Sequence, residues 1–329
     1  HPSLSTTASN LVDYRRNPTH THTSMMHFVK KLNPIVAPVL RRFATTTSTI
    51  SSSSTTTGPP TTAADTEKMV ADLQRELRSL YAEQDYTQAL EVVVDLKEVT
   101  LEFYGADHPV TASVVNNHAL LKRATGEYEA AVELFSTAIQ QYEQSVGKDH
   151  PSTATALHNL GLTYKSMYES GTFTGVEELH LQDRAEEALR ESLGRREPEH
   201  VDRATTMYVL ASVRGTQGKN EDSVELFEDA LLILQASYTD SNESNASGLR
   251  LATGLNNYGY WLKMNGDYHD AVIRYQESYA LREKHAGKNH TVTIISLQNI
   301  AELLSSQGEE DEANVVRQEI MDRVEAMDK

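Results

Sequence analysis

One stretch constrains the fold more than any other: residues 105–147, GADHPVTASVVNNHALLKRATGEYEAAVELFSTAIQQYEQSVG. It opens on a Gly-x-x-His-Pro string and closes where the next one opens. Gly105 and Gly147 therefore lie 42 residues apart, as do His108 and His150. The same offset separates Asn117 from Asn159, Asn257 from Asn299, and Ala271 from Ala313. DYTQAL, GEYEAAVELF, GKNEDSVELF, GDYHDAV and GEEDEANVV are versions of one turn leading into one helix. Recurrence at fixed spacing marks a repeat architecture, in which each repeat is one supersecondary element.

The physics of the repeat is readable. Val115, His118, Ala119 and Lys122 follow the i, i+3, i+4, i+7 spacing of one helix face, and Ala131, Phe135 and Ala138 form the inner stripe of a second helix. Small residues (Ala119, Gly161, Ala211, Gly259, Ala301) recur where the two helices should cross, which lets the backbones approach closely. Gly126, Gly218, Gly266 and Gly308 are placed to close each first helix, where a residue free to take positive φ is wanted. A single helix pair leaves one apolar face bare, so stability requires a stack of pairs.

Those residues carry a resemblance. The pattern of a small residue in the first helix, then G-x-Y-x-x-A-x-x-x-(F/Y)-x-x-A, resembles the tetratricopeptide repeat. The 42-residue period with its G-x-x-H-P linker is similar to the kinesin-light-chain type. The resemblance covers residues 67–329 and implies an all-α chain: a right-handed α-α superhelix, or solenoid, of five to six helix pairs. It also implies a binding role, with peptides held on the concave face. The pattern has local departures. His118 and Lys122 replace apolar residues, the linker before Val201 reads Glu-Pro-Glu-His, and residues 166–183 read as an irregular insertion in the third repeat. No heptad region is present, so a whole kinesin light chain is not expected.

The N-terminal region differs from the repeats. Residues 1–24 have no helical or strand period and read as a disordered leader, either a real extension or translated upstream sequence. Residues 25–43 contain Lys30, Lys31, Arg41 and Arg42, no acidic residue, and an apolar side of Phe28, Val29, Leu32, Val36, Val39 and Phe43. A basic, amphipathic, acid-free segment describes an organellar presequence. Arg41-Arg42-Phe43 ahead of Ala44-Thr45 suits cleavage by the mitochondrial processing machinery. The expected address is the mitochondrial matrix, with a plastid or a plain low-complexity tail as alternatives. Residues 44–66 read as a Ser/Thr-rich linker too polar to order itself.

Charge and composition narrow the function. The chain carries a net charge of −17; residues 1–66 hold six basic and two acidic residues, so the remainder carries −21. Such a body repels phosphate backbones, and nucleic acid is not an expected partner. There is no cysteine, which removes thiolate chemistry and disulfides together. No phosphate loop, nucleophile elbow or H-E-x-x-H string is present. His108, His150, His200 and His290 fall in successive linkers about one helix pair apart, too distant to share a metal, and are read as loop histidines bonded to backbone. Glu186-Glu187 and Glu309-Glu310 are read as helix-surface charges. No catalytic residue, metal ligand or cofactor is expected, and no membrane span.

What remains is recognition. Asn117, Asn159, Asn257 and Asn299 fall two residues before the small crossing residue and are expected to face a groove. A carboxamide offers a donor and an acceptor to an extended peptide backbone. Tyr260 follows Asn257 by three residues, while Arg123, Lys165 and Lys263 are placed near the groove edge to meet an acidic ligand. The resemblance implies the same role for these Asn and basic positions. The fourth repeat breaks the ladder with Tyr208 and Val209, and the alternative is that the Asn side chains bond neighbouring helices. The expected function is a non-catalytic scaffold or adaptor that binds a partner protein or peptide as a mitochondrial assembly factor. The alternatives are a permanent subunit of a large mitochondrial complex or a cytosolic kinesin-light-chain-like cargo adaptor.

Overall fold

The computed structural model describes residues 62–171, 176–240 and 244–327. Among them run twelve helices and no strand. In chain order these are α1 (Ala63–Ala82), α2 (Tyr86–Tyr104), α3 (Pro109–Ala124), α4 (Tyr128–Ser145), α5 (Pro151–Glu169), α6 (Val176–Gly194), α7 (Val201–Thr216), α8 (Asn220–Asp240), α9 (Asn245–Met264), α10 (Tyr268–Ala286), α11 (Thr291–Gln307) and α12 (Glu310–Met327). Within the described residues α1–α2, α3–α4, α7–α8, α9–α10 and α11–α12 are helix–turn–helix segments, as the period predicts. The chain divides into two compact units, one ending at Glu177 and one beginning at Glu178. The expected leader and presequence, and the linker up to residue 61, lie outside the described residues.

Local sequence sets the helix boundaries. In α3 and α5 a proline occupies the first turn, where its missing N–H costs nothing. Gly126 and Gly266 sit at φ +82° and +86° in the turns between paired helices, a conformation only glycine adopts freely. The first pair lacks this glycine, and Gln84 takes the left-handed conformation instead, at φ 62°.

Two boundaries differ from the sequence reading. Residues 63–66 are helical, not linker, because Thr62 and Asp65 form a reciprocal capping box at the head of α1. The irregular stretch expected at 166–183 is mostly helix, since α5 runs to Glu169 and α6 begins at Val176. Its glycines and threonines gave a turn signal, and the flanking charged positions concealed the continuing helical period.

The first unit shows why pairs must stack. Leu73 and Leu77 of α1 and Val92, Val93, Leu96 and Val99 of α2 share one core cluster with Val114 and Leu121 of α3. The face that the first pair cannot bury by itself is therefore closed by the next first helix. Phe135 is fully buried with Ala119 and Ala131, and a side chain of that size contributes about 1.5–3 kcal/mol on burial. In the second unit the core is more aromatic: Phe227 stacks on Tyr258 at 4.9 Å between ring centroids, with Tyr208 and Trp261 each at 5.7 Å.

Close helix approach in the second unit depends on absent side chains. A Cβ on Gly259 would stand 2.9 Å from the Tyr275 ring, and one on Gly254 would stand 2.1 Å from the Tyr208 hydroxyl. That hydroxyl is buried and has no hydrogen-bond partner, and burial pushes its pKa up. Gly254→Ala should destabilise the protein by about 1–3 kcal/mol through overpacking. Tyr208→Phe should cost nothing or stabilise, because it removes an unsatisfied polar atom. The double variant should recover part of the Gly254→Ala loss in urea unfolding; strict additivity would show that the two groups do not collide.

Candidate functional site: the exposed faces of the first helices

The linker histidines resolve first. His108, His150, His200 and His290 are the N-caps of α3, α5, α7 and α11, and each Nδ1 accepts the backbone N–H two residues on, at 3.1–3.3 Å. They are bonded to backbone, as the sequence reading expects. A second contact in the same linker escaped that reading. Thr111, Thr153 and Thr293, three residues after the histidine, donate their hydroxyls to the carbonyls of Gly105, Gly147 and Gly287 at 2.8–2.9 Å. The fourth repeat lacks the glycine and has Arg203 at the threonine position; its guanidinium donates to the Leu193 carbonyl at 2.7 Å instead. The signal was present in the 42-residue spacing of the threonines.

Burial lowers the pKa of His108 and His150, and it lowers His118 to about 4, with Lys97 and Lys122 adding to the effect. Each native imidazole thus resists protonation more than the unfolded one, whose value is near 6.5. Their stabilisation is fully present above that value and is lost as the pH falls below it toward the folded pKa. His108→Asn with His150→Asn retains a capping acceptor that does not titrate in this range. Thermal unfolding between pH 7.5 and 5 should show a shallower loss of Tm in this double variant than in the parent.

Among the described residues, no three His, Asp or Glu side chains stand close enough to hold a metal ion, and no helix is long and apolar enough to cross a membrane. Glu186 is not the solvated surface charge expected. It lies in the second unit, bonded to Lys219 at 3.0 Å, Arg214 at 3.3 Å and Arg190 at 3.1 Å. Burial acts to raise its pKa, but the Lys219 bond and the neighbouring cations outweigh it and hold the carboxyl below its ordinary value.

The predicted groove residues divide between the units. In the first unit Asn117 on α3 is half-buried and Asn159 on α5 is buried, so Asn159 is not presented to solvent as expected. Arg123 is half-buried on α3. Its guanidinium is withdrawn beside Tyr81 and Tyr128, and burial lowers its pKa against the pull of those two hydroxyls. Lys165 is ion-paired with Glu169, one turn along α5.

In the second unit the four predicted residues fall on two neighbouring first helices. Asn257 and Tyr260 are exposed on α9, with Met264 exposed one turn beyond Tyr260. Lys263 pairs with Glu302 of α11 at 3.3 Å. Asn299 of α11 does not stand free: its Nδ2 donates to Oδ1 of Asn256 on α9 at 2.6 Å, tying the two first helices together. The Asn alternation thus contains two roles, a structural tie at Asn256–Asn299 and an open carboxamide at Asn257. Asn116 and Asn159 have the same 43-residue offset as that tie, but here the Asn116 Oδ1 is buried without a partner. Asn299→Ala should lower stability by about 0.5–1.5 kcal/mol, the worth of a typical hydrogen bond. Asn257→Ala should change it by less than about 0.5 kcal/mol. Urea midpoints for the two variants separate these roles.

With this geometry in place, comparison with known proteins gives a consistent picture. Residues 111–169 and 250–322 match the family described as tetratricopeptide repeat. Among curated proteins nothing matches the sequence. Among solved structures, BtubC (BKLC) from P. vanneervenii is 18% identical, with 80% of this chain and 92% of that chain covered at a TM-score of 0.53. The apo form of RapI is 13% identical, with 92% and 96% covered at 0.55. A Podosopora anserina structure of nearly identical TPR-like repeats of kinesin-light-chain kind is 19% identical, with 67% and 98% covered at 0.48. At these identities the likeness of BtubC and RapI is one of fold.

Proposed function

We propose that this chain, whose residues 111–169 and 250–322 match the tetratricopeptide repeat family, is a non-catalytic scaffold that holds a segment of a partner protein. The seat is the open face of α9 and α11 in the second unit. The observation that supports this most is the exposure of Asn257, Tyr260 and Met264 on successive turns of α9, beside a neighbouring helix fixed in register by the Asn256–Asn299 bond. A donor–acceptor carboxamide, an aromatic ring and a thioether on a rigid surface suit an extended segment: the amide can bond its backbone, and the other two can cover one apolar side chain. Open helix faces of solenoids are the usual place for such binding surfaces.

The same proposal places the protein in mitochondria as an assembly factor, on the strength of the basic, acid-free segment 25–43 and the Arg41-Arg42-Phe43 string. The first unit plays a smaller part in binding, since Asn159 is buried and Arg123 withdrawn.

One experiment tests address and role together: affinity capture of a C-terminally tagged chain from fractionated cells, with its N-terminus sequenced. A mature chain starting near Ala44, bound to one dominant mitochondrial partner and releasing it on Asn257→Ala with Tyr260→Ala, is the expected result. An uncut chain in the cytosol overturns the address. Capture unchanged in the double variant, with helical circular dichroism intact, overturns the seat.

A further inference from the structure

We propose that the segment held on the second unit is cationic around an apolar anchor; this rests on the binding face described above and specifies its chemistry. The sequence alone points the other way, because Arg123, Lys165 and Lys263 look like receptors for an acidic ligand. The structure withdraws all three. Arg123 is half-buried near Tyr81 and Tyr128, and both lysines are already paired.

The pairs are also asymmetric in one direction. Lys263 is 19% exposed and its partner Glu302 is 68% exposed. Lys165 and Glu169 stand at 19% and 53%, and Lys122 and Glu127 at 23% and 49%. In each of these three pairs the lysine side chain is the more covered partner and the glutamate side chain the more exposed one. An incoming acidic side chain would meet the glutamate first and would have to displace it to reach the lysine. An incoming ammonium or guanidinium finds a carboxylate with room to spare: two oxygens offer about four acceptor positions, and Lys263 uses one oxygen of Glu302.

The apolar part of the seat adjoins that carboxylate. Tyr260 is 56% exposed and Met264 is 66% exposed, one helical turn apart on the same side of α9 as Asn257. Such an i, i+4 pair forms a continuous patch. The link is Lys263, which follows Tyr260 by three residues on α9 and holds Glu302 at 3.3 Å, so the carboxylate stands beside the same stretch of helix. The one exposed cation on that side of α9, Arg250, lies seven residues before Asn257, about 10 Å along the helix, so the cationic requirement belongs to the Glu302 end. The net charge of −21 beyond residue 66 adds a general field that attracts cationic partners and repels acidic ones.

The test is selection of random phage-displayed dodecapeptides on the full chain. Only clones that lose binding to the Tyr260→Ala, Met264→Ala double variant are scored. Both positions are exposed, and circular dichroism confirms that the variant keeps its helices. The expected clones carry Lys or Arg within a few residues of Trp, Phe or Leu. Glu302→Gln should weaken them by roughly 2- to 5-fold, the range of an exposed ion pair, and Glu302→Lys should be rescued by a Lys→Glu change in the peptide. Clones rich in Asp and Glu, or indifferent to Glu302, overturn the charge proposal and leave the seat standing. If every selected clone ignores Tyr260 and Met264, or no clone is selected, the seat fails and the proposal with it.

Discussion

Everything in this fold depends on how closely two helix backbones can approach at their crossing. Ala119, Ala131 and Ala138 are wholly buried, and Gly259 lies against the face of Tyr275 with no room for a methyl group. Where the crossing residue is small, the partner helix can bring an aromatic ring over the gap, as Phe135 and Tyr275 do. That contact sets the spacing of each pair, and the spacing sets which residues of the first helix remain outside. The open side of α9 is therefore a by-product of packing on its opposite side. Asn257, Tyr260 and Met264 are held in place because Leu255, Tyr258, Trp261 and Leu262 are buried.

Most of the architecture could be read from the sequence because the repeat writes its own rules several times. The crossing alanines and glycines, the turn glycines and the linker histidines recur, at 42 residues between the regular repeats and at 48 to 50 on either side of the fourth, and each has one physical task that only a few residue types perform. The boundaries that were misplaced lie where a local signal competes with the period. Thr62 and Asp65 sit in a run of threonines and alanines that reads as linker, yet their reciprocal bonds start a helix. Around Gly171 the turn residues drew attention away from the helical spacing on either side.

The candidate site was less legible, and the reason is specific. Periodicity identifies which side of a helix a residue occupies, but not what it meets across the gap. Asn257 and Asn299 are equivalent by offset; one is open, and the other is bonded to Asn256 on the neighbouring helix. Asn159 shares their position and is buried. Lysine positions were legible as positive charge, whereas the glutamate that covers each lysine comes from the following turn or from another helix. Glu186 shows the same effect in reverse, an acidic surface position on paper that gathers three cations in the fold. Side-chain partnership across elements is a tertiary property, and the repeat pattern carries only half of it.

The linker contacts have a consequence for how such a chain changes in length. Each Thr-to-Gly hydrogen bond spans six residues, and each histidine cap spans two, so a regular seam between repeats is completed by residues that lie within the seam itself. A block of 42 residues, such as 105–146, carries one complete joint at its start, and the next block supplies the one that follows. Duplicating or deleting one such block leaves both remaining joints chemically intact, which makes the whole repeat the natural unit of inheritance for this molecule. The seam at Arg203 is the exception: its guanidinium must find the Leu193 carbonyl ten residues back, in the preceding helix. A copy cut at that joint would separate the donor from its acceptor, so the third and fourth repeats are bound to travel together.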